Sequence, residues 1–162
     1  MLRFRPLRSI APVAVLAVAA SLAACGSNDK LSSDQANEFN AKAKQFSASM
    51  NKLNSQAAKC SQKASSGNVN QVADCFAGIF DDISGNFEEI STYVAGLSGD
   101  VEGECSTRLK TVSTSLGDVS DQFSGAAKDF RGGDVKDINS KLNNRKLNAI
   151  GPELSAAAKA CT

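Results

Sequence analysis

The 162-residue chain contains no histidine and no tryptophan. Without imidazole, the usual general base of acid–base and nucleophilic catalysis is gone, along with the commonest nitrogen ligand of zinc. Lysine can substitute as a base, but no Ser-x-x-Lys motif with its companions occurs. Ser61-Gln62-Lys63 and Ser140-Lys141 are ordinary surface neighbours. No two cysteines stand two to four residues apart, which excludes both a thiolate zinc pair and a C-x-x-C redox motif. The remaining haem ligands are Met50, which falls in an apolar seam, and Tyr93 beside it. Asp134, Asp137 and Asn139 lack the spacing, the glycine and the terminal glutamate of a calcium loop. These absences predict a protein that is not an enzyme and has neither cofactor nor metal. Charge is nearly balanced, so no field of one sign points to a nucleic-acid partner.

Proline is scarce too: beyond Pro6 and Pro12 there is only Pro152. The first two lie in a segment unlike the rest. Arg3, Arg5 and Arg8 precede an almost wholly apolar run from Ile10 to Ala20, and small residues follow. Even counted on through the small residues to Ala24 the stretch is 15 residues long, short of the roughly 20 that span a bilayer. The arginines are not adjacent, which disfavours twin-arginine export. The segment therefore reads as an export signal rather than a membrane anchor.

Its end, Leu22-Ala23-Ala24-Cys25, resembles the lipobox of a bacterial lipoprotein precursor. The resemblance covers only the leader and implies that a diacylglyceryl group is attached to the Cys25 thiol. It also implies cleavage before Cys25 and a mature protein held at a membrane by acyl chains. Two or three chains anchor stably, at about 0.8 kcal/mol per buried methylene. Residues 1–24 are then a cleaved signal, 25–31 an acylated tether, and 32–162 the folded domain. Gly26 stands where an aspartate retention signal is familiar, so inner and outer membrane stay equally open. The mature chain keeps 15 basic against 17 acidic residues.

The rest of the chain has helical periodicity. Ala36, Phe39, Ala43, Phe46, Met50, Leu53, Ala57 and Cys60 recur at alternating steps of three and four. Val69 to Leu97 gives a second seam, and Cys105 to Phe130 a third. Ser65 to Asn68 breaks the first two apart; Gly96 and Gly99 mark the next turn, and Arg131 to Asp134 the last. In the fourth segment the phase slips between Leu142 and Leu147, and Pro152 follows, which predicts a kink or break between 143 and 152. Nothing alternates with period two. The fold class is all-α, an antiparallel up-down four-helix bundle with two disulfides and a fourth helix kinked or broken near 143–152.

That topology selects among three pairings of Cys60, Cys75, Cys105 and Cys161. Cys60 and Cys75 flank the first turn at the same height. Cys105 opens the third helix where Cys161 closes the fourth, at the other pole. Cross-pairs would have to span tens of ångströms against a limit of roughly 7 Å. The prediction is Cys60–Cys75 and Cys105–Cys161, which requires an oxidising compartment.

Two features could make a site. No basic residue occurs between Ala64 and Thr107, whereas Asp74, Asp81, Asp82, Glu88 and Glu89 lie in helix 2. Asp74, Asp81 and Glu88 recur every seven residues along one face, with Gly78 and Gly85 leaving it shallow. This is either an acidic groove for a cation, basic peptide or cationic wall component, or a solvated face balanced by Lys42, Lys44, Lys52, Lys59 and Lys63. The phase slip in helix 4 could instead open a pocket in the bundle. The expected protein is a lipid-anchored, extracytoplasmic binding or structural module of the cell envelope, its partner an envelope protein, peptide or wall component. The alternative is a carrier or sensor of a small apolar ligand held inside the bundle.

Overall fold

A computed structural model describes residues 29–63, 69–133, 142 and 144–162. Among these the chain forms four helices and no strand: α1 (Ser33–Lys63), α2 (Val69–Asp100), α3 (Gly103–Gly132) and α4 (Asn144–Cys161). The leader with Cys25, and residues 134–141 before the phase slip of the fourth segment, lie outside the described residues.

Helix α1 begins with a reciprocal cap. The Gln35 amide N–H donates to Ser32 Oγ at 3.2 Å, and the Ser32 amide donates to Gln35 Oε1 at 2.9 Å. A Ser-x-x-Gln box satisfies two donors that helix geometry leaves open. It sits at the predicted border between tether and domain.

The α2–α3 link differs from expectation. Gly96 and Gly99 are not a turn; α2 runs through both to Asp100, and only Val101 and Glu102 connect it to α3. Val94, Leu97 and Val101 are all buried, so the apolar seam continues past both glycines. A helical glycine costs roughly 1 kcal/mol relative to alanine, less than burying that seam returns. The reversal is made instead at Gly103, whose φ of +63° lies in the left-handed region. The end of α3 is as expected: Gly133 takes φ +76° and its N–H reaches Phe130 O at 3.2 Å.

Pro152 does not interrupt its helix. It lies inside α4, which continues without a break from Asn144 to Cys161. Pro152 is exposed, so the ring stands in solvent on the side away from the core. A carbonyl left unpaired on that side is open to water. The part of the predicted break that falls on Asn143 lies outside the described residues.

Small residues bring α2 and α3 together. Ser84 Oγ donates to Ser120 O and Ser120 Oγ to Ser84 O, both at 2.9 Å. One heptad on, Ser91 and Ser113 exchange the same bonds at 2.8 and 3.0 Å. A heptad further, Ser106 Oγ donates to Ser98 O at 2.6 Å. The partners descend along α3 as they ascend along α2, so these two helices are antiparallel. Fully buried Ala77 and Ala127 extend both series by seven residues. At Gly117 an added Cβ would lie 3.4 Å from Ser91 Oγ, so this rung has little space to spare. The hydroxyls of Ser84, Ser106 and Ser120 are buried and those of Ser91 and Ser113 half-buried, and all five are satisfied by a carbonyl of the opposite helix, whereas Ser98 Oγ turns back to Ala95 O of its own helix at 2.7 Å.

The flanking helices pack on the sides of this pair, α1 on α2 and α4 on α3. Phenylalanines fill one half of the core. Phe46 of α1 meets Phe87 edge-on at 5.0 Å, Phe87 stacks on Phe123 at 6.0 Å, and Phe80 contacts Phe123 and Phe130 at 5.6 and 5.2 Å. Such ring pairs add about 0.5–1.5 kcal/mol each beyond area burial. Both predicted cysteine pairs are present, with Cα–Cα separations of 5.7 Å for Cys60–Cys75 and 4.7 Å for Cys105–Cys161. Cys60, Cys105 and Cys161 are buried and Cys75 is half-buried.

Candidate functional site

The acidic residues of α2 are exposed, as a helix with its seam turned inward requires. Asp74, Asp81, Asp82, Glu88 and Glu89 all face solvent. Both flanks of the group are bridged to neighbouring helices. Glu89 accepts from Lys42 of α1 at 2.7 Å, and Asp81 forms an ion pair with Arg131 of α3. The hydrogen bond from Lys42 to Glu89 raises the lysine's proton affinity, and the attraction of the two charges adds to it. Arg131 is likewise held more firmly protonated by its bond to Asp81, with Asp74 contributing at longer range. Asn86 Nδ2 donates to the main-chain carbonyl of Asp82 at 2.8 Å, a local bond that leaves the carboxylate in water.

Of the five lysines expected to balance this face, Lys42 is placed against it. Arg131 was not among them, because the sequence reading assigned it only to the end of α3. Its role could have been found by placing the end of α3 beside the start of α2. A Cβ added at Gly78 or Gly85 meets nothing within 4 Å. Exposed ion pairs of this kind are worth about 0–1 kcal/mol, so they orient side chains more than they stabilise the fold. Among the described residues no group of three or more His, Cys, Asp or Glu side chains is arranged to hold a metal.

An apolar cavity of about 50 Å³ lies at the pole that carries Cys105–Cys161. Leu31, just before α1, and Phe39 of α1 line it, with Leu109 of α3 and Leu154 and Ala157 of α4. It is therefore at the C-terminal end of α4, away from the phase slip where the sequence suggests a pocket. At the same pole Leu31 N–H donates to Cys161 O at 3.3 Å and Lys30 Nζ to Thr162 O at 2.5 Å.

Tyr93, beside the first seam, stacks on Phe39 with ring centroids 6.5 Å apart. Its hydroxyl oxygen is buried, and burial raises the phenol's pKa, helped by the charge of Glu38. Met50 is half-buried against the core, as a seam residue.

No protein-family model, no curated protein and no solved structure matches this chain.

Proposed function

We propose that the protein is a lipoprotein of the bacterial cell envelope, cleaved before Cys25 and acylated there, whose helical domain is a non-catalytic binding or structural module. The observation that carries the reading is the leader, with its arginines, short apolar run and Leu22-Ala23-Ala24-Cys25 box. Two further features support it. The two disulfides suit an oxidising compartment outside the cytoplasm. No described helix is long and apolar enough to cross a membrane, so residence at a membrane would rest on the lipid. In this reading the helices follow one another up and down around a common core. The paired residues of α1–α2, α2–α3 and α3–α4 favour that order.

The cavity volume favours a packed module over an apolar-ligand carrier, since ligand pockets run to about 300–1,000 Å³. The bridged acidic face likewise favours a solvated surface over an open cation groove.

The test is the amino terminus itself. Mass spectrometry of the protein from membranes should show a chain beginning at Cys25 with acyl chains attached. Cys25→Ser should move it to the soluble fraction. An unmodified Cys25 in a membrane-retained protein overturns the proposal.

A further inference from the structure

We infer that the first half of α1 is a hinged arm, pinned covalently at its far end by Cys60–Cys75 and held at its near end by noncovalent contacts alone. Burial along α1 is uneven. Leu53 and Cys60 are buried to 5% and 1% exposure, whereas Phe39, Phe46 and Met50 before them are only half-buried. Across the interface, Phe87 and Val94 of α2 are buried at 3% and 0%. The arm therefore covers an apolar surface more completely than it is covered itself.

The frame beneath it is held differently. Serine rungs and buried alanines join α2 to α3 along their length, and Cys105–Cys161 ties α4 to α3. α1 packs chiefly along α2 and shares with α3 and α4 the cavity near its start. There the latch consists of Leu31 N–H to Cys161 O, Lys30 Nζ to Thr162 O, and Gln35 Nε2 to Asp100 Oδ2 at 3.2 Å. The two side-chain bonds are exposed and exchange readily with water. Behind the latch is the apolar cavity, where Leu31 and Phe39 fall short of full contact with Leu109 and Leu154.

Opening pivots about the Cys60–Cys75 clamp and parts the Lys42–Glu89 ion pair and the rings of Phe39 and Phe46 from Tyr93 and Phe87. It uncovers Tyr93, Phe87 and Leu109 without disturbing the serine rungs. The chain enters the domain at the moving end, so a pull on residues 25–31 acts on the latch directly.

Amide hydrogen exchange on the full chain with both disulfides intact tests this. Amides of residues 36–50 should exchange at least about 100-fold faster than those of 83–97, as expected of a unit that opens below the global unfolding free energy. Equal protection of the two segments overturns the arm. A second measurement uses Lys30→Ala combined with Asp100→Ala, which leaves the Ser32–Gln35 cap intact. Loss of two exposed bonds should speed exchange in 36–50 by about tenfold, leaving 83–97 unchanged. No acceleration, or equal acceleration in both segments, overturns the latch.

Discussion

Ser84 and Ser120 each donate a hydroxyl to the other's main-chain carbonyl, at 2.9 Å in both directions. Their oxygens are also within 3.0 Å of one another, so the two side chains form a closed polar ring in a buried interface. Removing one member leaves part of that ring unpaired. Ser84→Ala should cost about 1 kcal/mol, and Ser120→Ala about the same. The double variant should cost clearly less than their sum, because both partners are then gone. Ser84→Leu forces the helices apart and should cost about 1–3 kcal/mol. Urea midpoints at constant m-value measure all four, and strict additivity of the alanine variants contradicts the ring.

The glycines divide by sign. Gly78 and Gly85 are helical, with open space where a Cβ would stand. Alanine at either should stabilise by about 0.5–1 kcal/mol, through helix propensity and a less flexible unfolded chain. Gly103 has φ +63°, and a Cβ there would lie 3.3 Å from Asp29 Oδ1. Gly103→Ala should destabilise by about 1 kcal/mol or more. Thermal midpoints moving in opposite directions are the expected result.

These positions show how much the sequence disclosed. The three long seams were legible because Phe, Leu, Ile and Val at three-four spacing have one economical arrangement, a shared core. The cysteine pairs followed from the same spacing, since heights along helices fix which thiols can meet. The serine series at 84, 91, 98 and 106, 113, 120 is as regular as any apolar one, but serine counts as polar in such a reading. It lies in the interface because every hydroxyl of the series but that of Ser98, which bonds Ala95 O, finds a carbonyl on the opposite helix, a partner visible only once α2 faces α3. Gly96 and Gly99 misled for the opposite reason. Their local preference is outweighed by Val94, Leu97 and Val101, which need the helix to continue. On the acidic face the residues were legible, but the Asp81–Arg131 bridge depends on which helices are neighbours.

The disulfides should differ in weight. Cys60–Cys75 closes 15 residues and Cys105–Cys161 closes 56. By loop-closure entropy these contribute about 3 and about 4 kcal/mol respectively. Cys105→Ser with Cys161→Ser should therefore lower the urea midpoint more than Cys60→Ser with Cys75→Ser. The reverse order would mean that residual structure in the unfolded chain outweighs loop length.

Alkaline pH should weaken the fold through Tyr93. Burial raises its pKa above the ordinary value of 10.0, so the folded state holds this proton more tightly than the unfolded chain. The resulting stabilisation is complete below pH 10 and is lost as pH rises through the folded value. Lys42 acts in the same direction through Glu89. Tyr93→Phe should flatten the decline in unfolding free energy between pH 9 and 11.5. A variant as steep as the parent would remove Tyr93 from the account.

The two sulfur bridges close separate rings, residues 60–75 and 105–161, with most of α2 lying between them. A protease that nicks either ring leaves the molecule in one covalent piece. A nick at Val101–Glu102, the whole connection between α2 and α3, yields two fragments, each closed on itself. The hydroxyl rungs, the apolar packing, the Asp81–Arg131 ion pair and the bonds of Lys30 and Leu31 to the chain end would then keep those fragments together, which makes this link the place where the noncovalent interface between the two helix pairs can be weighed.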